Sequence, residues 1–248
     1  MDLAQRECNM KVALVCIAKN EDNYIKEWYD YHMKIGFDDI IVYQNDWECN
    51  ITEPNLIKYR VDGKNKQLFC YNNFITEHQG KYDWVAFFDV DEFLVLKKHK
   101  NVKEFIKDYE DYPGIGINWV FFGDNNHNGV IDDYSVISRF IKREKKVNNH
   151  VKSIVKLTPE LRMLVHNPSN TVIVDTNKCA FKSSFSPKQY DDIAQLNHYF
   201  TKTKEEFIKK VERGRADAEF KRNYNEFNVH NINEVDDFTA HNFYFNEE

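Results

Sequence analysis

Long apolar runs are missing from this chain. None approaches the ~20 residues that a membrane span requires. The opening Met1 to Met10, carrying Asp2, Arg6 and Glu7, has no apolar core of a secretory signal. A basic excess is missing too: 34 Lys and Arg stand against 40 Asp and Glu, a net charge of -6. That argues against a nucleic-acid binder, because phosphate backbones demand a basic footprint. Cysteine is sparse and unpatterned. Cys8, Cys16, Cys49, Cys70 and Cys179 are odd in number and never spaced as Cys-x-x-Cys, so neither a disulfide framework nor a zinc site is expected. A reducing, cytoplasmic setting follows as the simpler expectation, with peripheral membrane contact left open. No internal repeat or low-complexity linker divides the sequence.

What is present fits a globular protein. A chain of 248 residues, 42% hydrophobic and 30% charged, accommodates one α/β domain or one domain with a modest extension. Lys11 to Ala18 (KVALVCIA) reads as a buried strand. Asn20 follows as an N-cap candidate, and Ile25, Trp28, Tyr29, His32 and Ile35 recur at helical spacing until Gly36. Asp39 to Tyr43 is a second strand, completing a βαβ unit and implying a parallel sheet. Strands are expected at 56–61, 83–88, 114–121, 134–141, 152–157 and 171–174, and helices at 66–77 and near 102–109. The charged stretch from Lys202 to Asn223, with Phe207, Ile208, Val211 and Phe220 at helical spacing, predicts a helical tail.

The sharpest chemical signal is Asp89-Val90-Asp91-Glu92, directly after the apolar strand DWVAFF. Carboxylates there sit at the carboxyl edge of the sheet, where open α/β folds bind ligands. Crowded Asp oxygens suit Mg²⁺ or Mn²⁺, and such an ion can bridge a diphosphate. A solvated acidic turn has the same residues, but its place after a buried strand favours a site. The turn Ala18-Lys19-Asn20-Glu21 has none of the glycines of a dinucleotide or P-loop turn. It could instead meet a nucleoside through hydrogen bonds, or serve only as a helix cap.

These elements together resemble glycosyltransferase family 92 and its bacterial family 2-like relatives. The resemblance rests on Ala18-Lys19-Asn20-Glu21 followed by Trp28, Tyr31-His32 and Gly36, then on DWVAFFDVDEF. It continues through Asn118-Trp119-Val120-Phe121-Phe122-Gly123, Ser138-Arg139-Phe140 and Lys152-Ser153-Ile154-Val155. It closes on His198-Tyr199, Lys202-Thr203, Glu206-Phe207 and Arg213-Gly214. The matches run in order from residue 12 to about 215, so their ordered set, rather than any one motif, carries the likeness.

The resemblance implies a GT-A (Rossmann-like) mixed sheet flanked by helices, with a helical C-terminal tail. Residues 1–195 form the nucleotide-sugar-binding and catalytic domain and 196–248 a helical extension packed on it. It implies a UDP-sugar donor near Ala18, Asn20 and Glu21, with Asp89 and Asp91 as the D-x-D pair holding ribose and Mn²⁺ or Mg²⁺. His166 and His198 compete to complete the metal site. Met163-Leu164-Val165-His166 resembles the M-x-x-H ending of β-1,4-galactosyltransferases, which favours His166. Lys202 and Arg213 are expected to assist the phosphates. An inverting transfer needs a base for the acceptor hydroxyl, and Asp124, just past the Trp119–Gly123 element, is the candidate. The family pattern has a small polar residue there and a His soon after, matched by His127, so His127, Asp132 and Asp133 stay in play. The acceptor is expected to be a glycan or glycolipid, and galactose the sugar, in bacterial surface polysaccharide or lipo-oligosaccharide synthesis. Two other readings remain. Phe-Phe-Asp-Val-Asp-Glu also resembles the haloacid dehalogenase opening, a phosphohydrolase whose first Asp is the nucleophile. A chain without its base would be a nucleotide-sugar or carbohydrate-binding module.

Overall fold

The computed structural model describes residues 10–127 and 133–246. Strand β1 (Val12–Ala18) is buried along its whole length. Its side chains alternate between two apolar layers, Leu14 and Cys16 into one, Ala13, Val15 and Ile17 into the other. A strand covered on both faces must be apolar at every position, which is why this run lacks the alternation of a half-exposed strand. Helix α1 (Ile25–Lys34) covers one face through Trp28 and Tyr31, and α2 (Gln67–Glu77) covers the other through Tyr71 and Phe74.

The parallel core runs β3 (Leu56–Val61), β2 (Asp39–Asn45), β1 and β4 (Trp84–Phe87). Beyond β4 the order continues through β8 (Val151–Lys156), β6 (Gly114–Phe121), β9 (Ile173–Val174) and β10 (Ala180–Phe181). Strand β8 is antiparallel to both neighbours, so its first residues stand at the edge where β4 and β6 end. Strand β11 (Ala194–His198) pairs parallel with β6 and antiparallel with β5 (Glu92–Leu96), the segment that follows the acidic turn. The result is the mixed sheet flanked by helices that the resemblance implies. Helix α3 (Val102–Lys107) is capped by the Asn101 side chain. After α4 (Val136–Arg139) come β7 (Lys142–Arg143), α5 (Lys204–Arg213), α6 (Glu226–His230), β12 (Val235–Asp236), which pairs with β7, and α7 (Thr239–Phe245).

Several local expectations are corrected. Residues 134–141 contain the short helix α4, not a strand: Ser135 caps it, and the Glu27 carboxylate accepts from Ser135 Oγ and Val136 N at 2.5 and 2.7 Å. The helix expected from Lys202 to Asn223 ends at Arg213, with Gly214 at φ 87° turning the chain away. Asn20 does not cap α1; it adopts φ 53°, and the helix begins after Tyr24. Asn tolerates this left-handed conformation better than most residues, and the turn it makes sets Glu21 against the sheet edge. The expected boundary at 195/196 falls inside β11, which is part of the sheet. No helix among the described residues is long and apolar enough to cross a membrane.

Candidate active site

Three aromatic residues of α1 fix the strand that follows the acidic turn. Trp28 Nε1 donates to the Glu92 carbonyl at 2.9 Å and Tyr31 Oη to the Leu94 carbonyl at 2.8 Å. His32 Nε2 accepts from Leu94 N at 3.4 Å while Nδ1 meets the Trp28 carbonyl at 2.8 Å. These polar tips are buried and each is satisfied, so the motif read as Trp28 and Tyr31-His32 is a clamp on β5. Tyr199 N donates to the Asp91 carbonyl at 2.9 Å from the other side. The turn carrying Asp89 and Asp91 is therefore held from two directions, which pre-orders its carboxylates.

The turn opens onto a cavity of about 470 Å³ at the carboxyl edge of the sheet. Ala18 and Glu21 line it from the end of β1, Asp89 and Asp91 from β4, Trp119 and Phe121 from β6, and His198 from β11. Helix α5 and the segment after it close the far side with Lys210, Arg213, Arg215 and Arg222. Arg213 Nη1 is ion-paired with Glu21 and donates to the Lys19 carbonyl at 3.0 Å. The first turn and the tail thus meet over the cavity.

Each carboxylate of the D-x-D pair already has a lysine. Asp89 Oδ2 accepts from Lys152 Nζ at 2.9 Å and Oδ1 from Gln67 Nε2 at 3.1 Å. Lys152 is fully buried, and its Nζ also lies 3.7 Å from the buried Glu92 carboxylate. Burial would lower the Lys152 pKa, but Asp89 and Glu92 overcome it and hold the ammonium charged. Asp91 Oδ2 is ion-paired with Lys210 Nζ, which also donates to the Phe200 carbonyl at 2.9 Å. Burial pushes the Asp91 carboxyl up, yet Lys210 and His198 pull it well below the ordinary range. Lys210 is itself pushed down to about 8 by burial, with Asp91 opposing.

The imidazoles form a wall rather than a ligand cage. His198 Nε2 lies 3.6 Å from Asp91 Oδ2, and burial pushes its pKa down to about 4. His166 lines the same cavity, but its Nδ1 faces the Val151 carbonyl at 3.2 Å; burial and Lys152 push it down to about 3. His150 stacks on Trp119 at 5.0 Å and 17°, and His230 on Phe121 at 4.5 Å and 26°. Among the described residues, Trp119 Nε1 and His198 Nδ1 find no hydrogen-bond partner.

The residues expected to hold Mn²⁺ or Mg²⁺ come to one cavity without forming a cation site. Among the described residues, no three His, Cys, Asp or Glu side chains are gathered as such an ion requires. As arranged they do not fit one: two oxygens that would ligate it accept from lysine ammoniums, and His166 is turned to a backbone carbonyl.

Other expected residues lie apart from the cavity lining. Asp124 Oδ1 accepts from Asn126 N at 2.8 Å and from Asn233 Nδ2 at 3.0 Å, the geometry of a turn. His127 Nε2 meets the Arg139 carbonyl at 2.8 Å, and Asp133 accepts from Ser135 N at 2.8 Å. Asp132 lies outside the described residues. Asn20 is exposed, and the Lys202 ammonium sits 4.1 Å over the Tyr24 ring. Sequence reasoning missed Gln67, Lys152, His150, His230, Lys210 and Arg222. Lys152 carried a signal, being a cation at the head of an apolar strand, and so did Lys210, set between Phe207 and Val211 on the buried side of α5.

A mixed sheet flanked by helices, with an acidic turn and a polar cleft at its carboxyl edge, places the candidate site where open α/β folds bind ligands. The chain belongs to glycosyltransferase family 92, whose family model matches residues 50–242. A family 92 protein of Oryza sativa subsp. japonica is 25% identical over 112 residues, covering 41% of this chain and 19% of that protein. One of Ricinus communis is 26% identical over 108 residues, covering 39% and 19%. The chain thus spans about a fifth of the length of these curated relatives. Among solved structures, HddC from Yersinia pseudotuberculosis is similar with a TM-score of 0.34 and 9% identity, covering 58% of this chain and 76% of that one; a likeness so slight bears on nothing here.

Proposed function

We propose that this chain is a glycosyltransferase moving a hexose, galactose as first choice, from a UDP-sugar to a glycan or glycolipid acceptor with inversion. The observation that carries the reading is the cavity itself. In a chain of glycosyltransferase family 92, the D-x-D turn, the Ala18–Glu21 turn and the aromatic wall of Trp119 and Phe121 line one cleft. Its volume suits a small ligand. The nucleoside would lie against Ala18 and Glu21 and the sugar towards the aromatic wall.

The acceptor proton needs a receiver inside the cavity. His150 supplies one: its Nδ1 sits 2.8 Å from Asn148 Oδ1, which assigns the proton to Nδ1 and leaves the Nε2 lone pair to accept. Burial pushes its pKa below the ordinary range, so the ring is neutral at pH 7. The setting in bacterial surface-glycan assembly belongs to the same proposal and rests on the resemblance to the bacterial relatives. The reading is tested by incubating the chain with UDP-glucose, UDP-galactose and their N-acetyl forms plus oligosaccharide acceptors and following UDP release. If no sugar nucleotide of this set, nor of a GDP or CMP set, is consumed, the transferase reading falls.

A further inference from the structure

The two carboxylates of the acidic turn hold lysines, and those lysines are parts of the fold. Lys152 is fully buried at the head of β8, an antiparallel strand whose start lies beside the end of β4. Lys210 is carried by α5, whose first turn is locked by the reciprocal capping box of Thr203 and Glu206. Its Nζ sits 4.1 Å from the Phe200 ring centroid and bonds the Phe200 carbonyl. A divalent ion between Asp89 and Asp91 would have to displace both ammoniums, leaving buried Lys210 without its carboxylate and Lys152 with Glu92 alone at 3.7 Å, which is unfavourable.

The cations near Asp91 also crowd one another. The Arg222 guanidinium lies 5.0 Å from the same Phe200 ring and 3.8 Å from Glu226. Arg215 is held by Asp217 at 2.6 Å beside it, and burial together with Arg215 pushes Arg222 down. Lys210, Arg215 and Arg222 all line the cavity. Mutually repelling cations facing one cleft ask for an anion, and guanidinium and ammonium groups are the natural partners of phosphate oxygens.

We infer that Lys210, with Arg222 and Arg215, binds the donor's diphosphate and neutralises it as it departs, so that donor binding needs no divalent ion; Asp91 and Asp89 position the lysines. The inference rests on the proposed nucleotide-sugar donor and deepens it. In the transfer, the bond from the sugar's anomeric carbon to the β-phosphate oxygen breaks and its electron pair stays on that oxygen. The acceptor oxygen forms the new bond to the anomeric carbon and its proton passes to His150. The nucleoside diphosphate leaves one charge more negative, and that charge develops beside the Lys210 ammonium.

Calorimetry of the full chain against UDP, GDP, CDP and ADP, first in EDTA and then in excess Mn²⁺, tests this. One diphosphate should bind with the same Kd, within about two-fold, in both buffers, and Mn²⁺ alone should give no binding isotherm. Lys210→Gln should weaken that diphosphate on the order of 100-fold, the scale of one lost charge-assisted contact. Arg222→Gln, whose side chain is partly exposed, should cost about ten-fold and serves if the buried Lys210 variant does not fold. A diphosphate that binds only with Mn²⁺ overturns the inference and leaves the transferase reading standing. No diphosphate binding in either buffer overturns both. Unchanged affinity in the two variants, or in Arg222→Gln if it alone folds, overturns the role of these cations.

Discussion

Arg139 and Glu206 form a two-pronged ion pair inside the protein, with Nη1 to Oε2 at 3.0 Å and Nη2 to Oε1 at 2.8 Å. It joins two distant motifs, Ser138-Arg139-Phe140 and the Glu206-Phe207 of the capping box, and so ties α5 and its Lys210 to the body of the fold. Removing one partner of a buried pair leaves an uncompensated charge, so Arg139→Ala should lose about 3–5 kcal/mol of unfolding free energy. Urea denaturation of the two proteins measures it. A loss under about 1 kcal/mol, the value of a surface pair, would contradict this account.

The same pair sets an acid limb in stability. Burial would raise the Glu206 pKa, but hydrogen bonds from Arg139 and Tyr24 hold it down at about 2. Because the folded-state pKa lies below the unfolded value, the stabilisation is fully present above the ordinary Glu range. It is lost as pH falls from about 4.5 towards 2, amounting to roughly 3 kcal/mol. Unfolding free energies between pH 7 and 2.5 should fall less steeply in Glu206→Gln than in the native chain. Parallel curves for the two proteins would remove Glu206 from the acid transition.

Gly123 is required by a close approach. A Cβ built there would lie 2.5 Å from Asn233 Oδ1 and 2.7 Å from the Ile232 carbonyl oxygen. Asn231 and Asn233 in turn accept from Asp124 N and Asn125 N at 2.7 and 2.8 Å. Gly123→Ala should therefore cost about 1–3 kcal/mol by overpacking, and the amides of Asp124 and Asn125 should exchange hydrogen faster. Native exchange rates at both amides would show that the segment accommodates the methyl group.

The acceptor base separates two residues. His150→Ala should lower kcat by about 10²–10⁴-fold while leaving nucleoside diphosphate affinity near normal. Asp124→Asn keeps the Oδ1 acceptor that serves Asn126 N and Asn233 Nδ2, so its turnover should stay close to native. Steady-state kinetics on both variants decides. The reverse pattern, slow Asp124→Asn and active His150→Ala, would return the base to the Trp119–Gly123 loop.

Strands β1 and β4 were legible because they are continuous apolar runs bounded by charge, and burial on both faces leaves little room for other residues. The acidic turn was legible for the same reason: its carboxylates stand where such a run ends. Strand β5 was not, since Glu92 to Leu96 continues from the turn, and its strand geometry depends on pairing with β11 more than 90 residues later. Nor was α4, whose residues have strand-like composition but whose cap is completed by Glu27 from α1.

The sequence by itself determined the apolar strands, the helix that covers them and the carboxylates at their edge, because these follow from local periodicity and from what a buried backbone tolerates. Only the tertiary structure decided what those carboxylates meet. Lys152 reaches Asp89 because β8 runs antiparallel, and Lys210 reaches Asp91 because α5 folds back across 119 residues of chain. The energy of a buried charge depends on its partner, and a partner that distant is set by topology rather than by any local pattern.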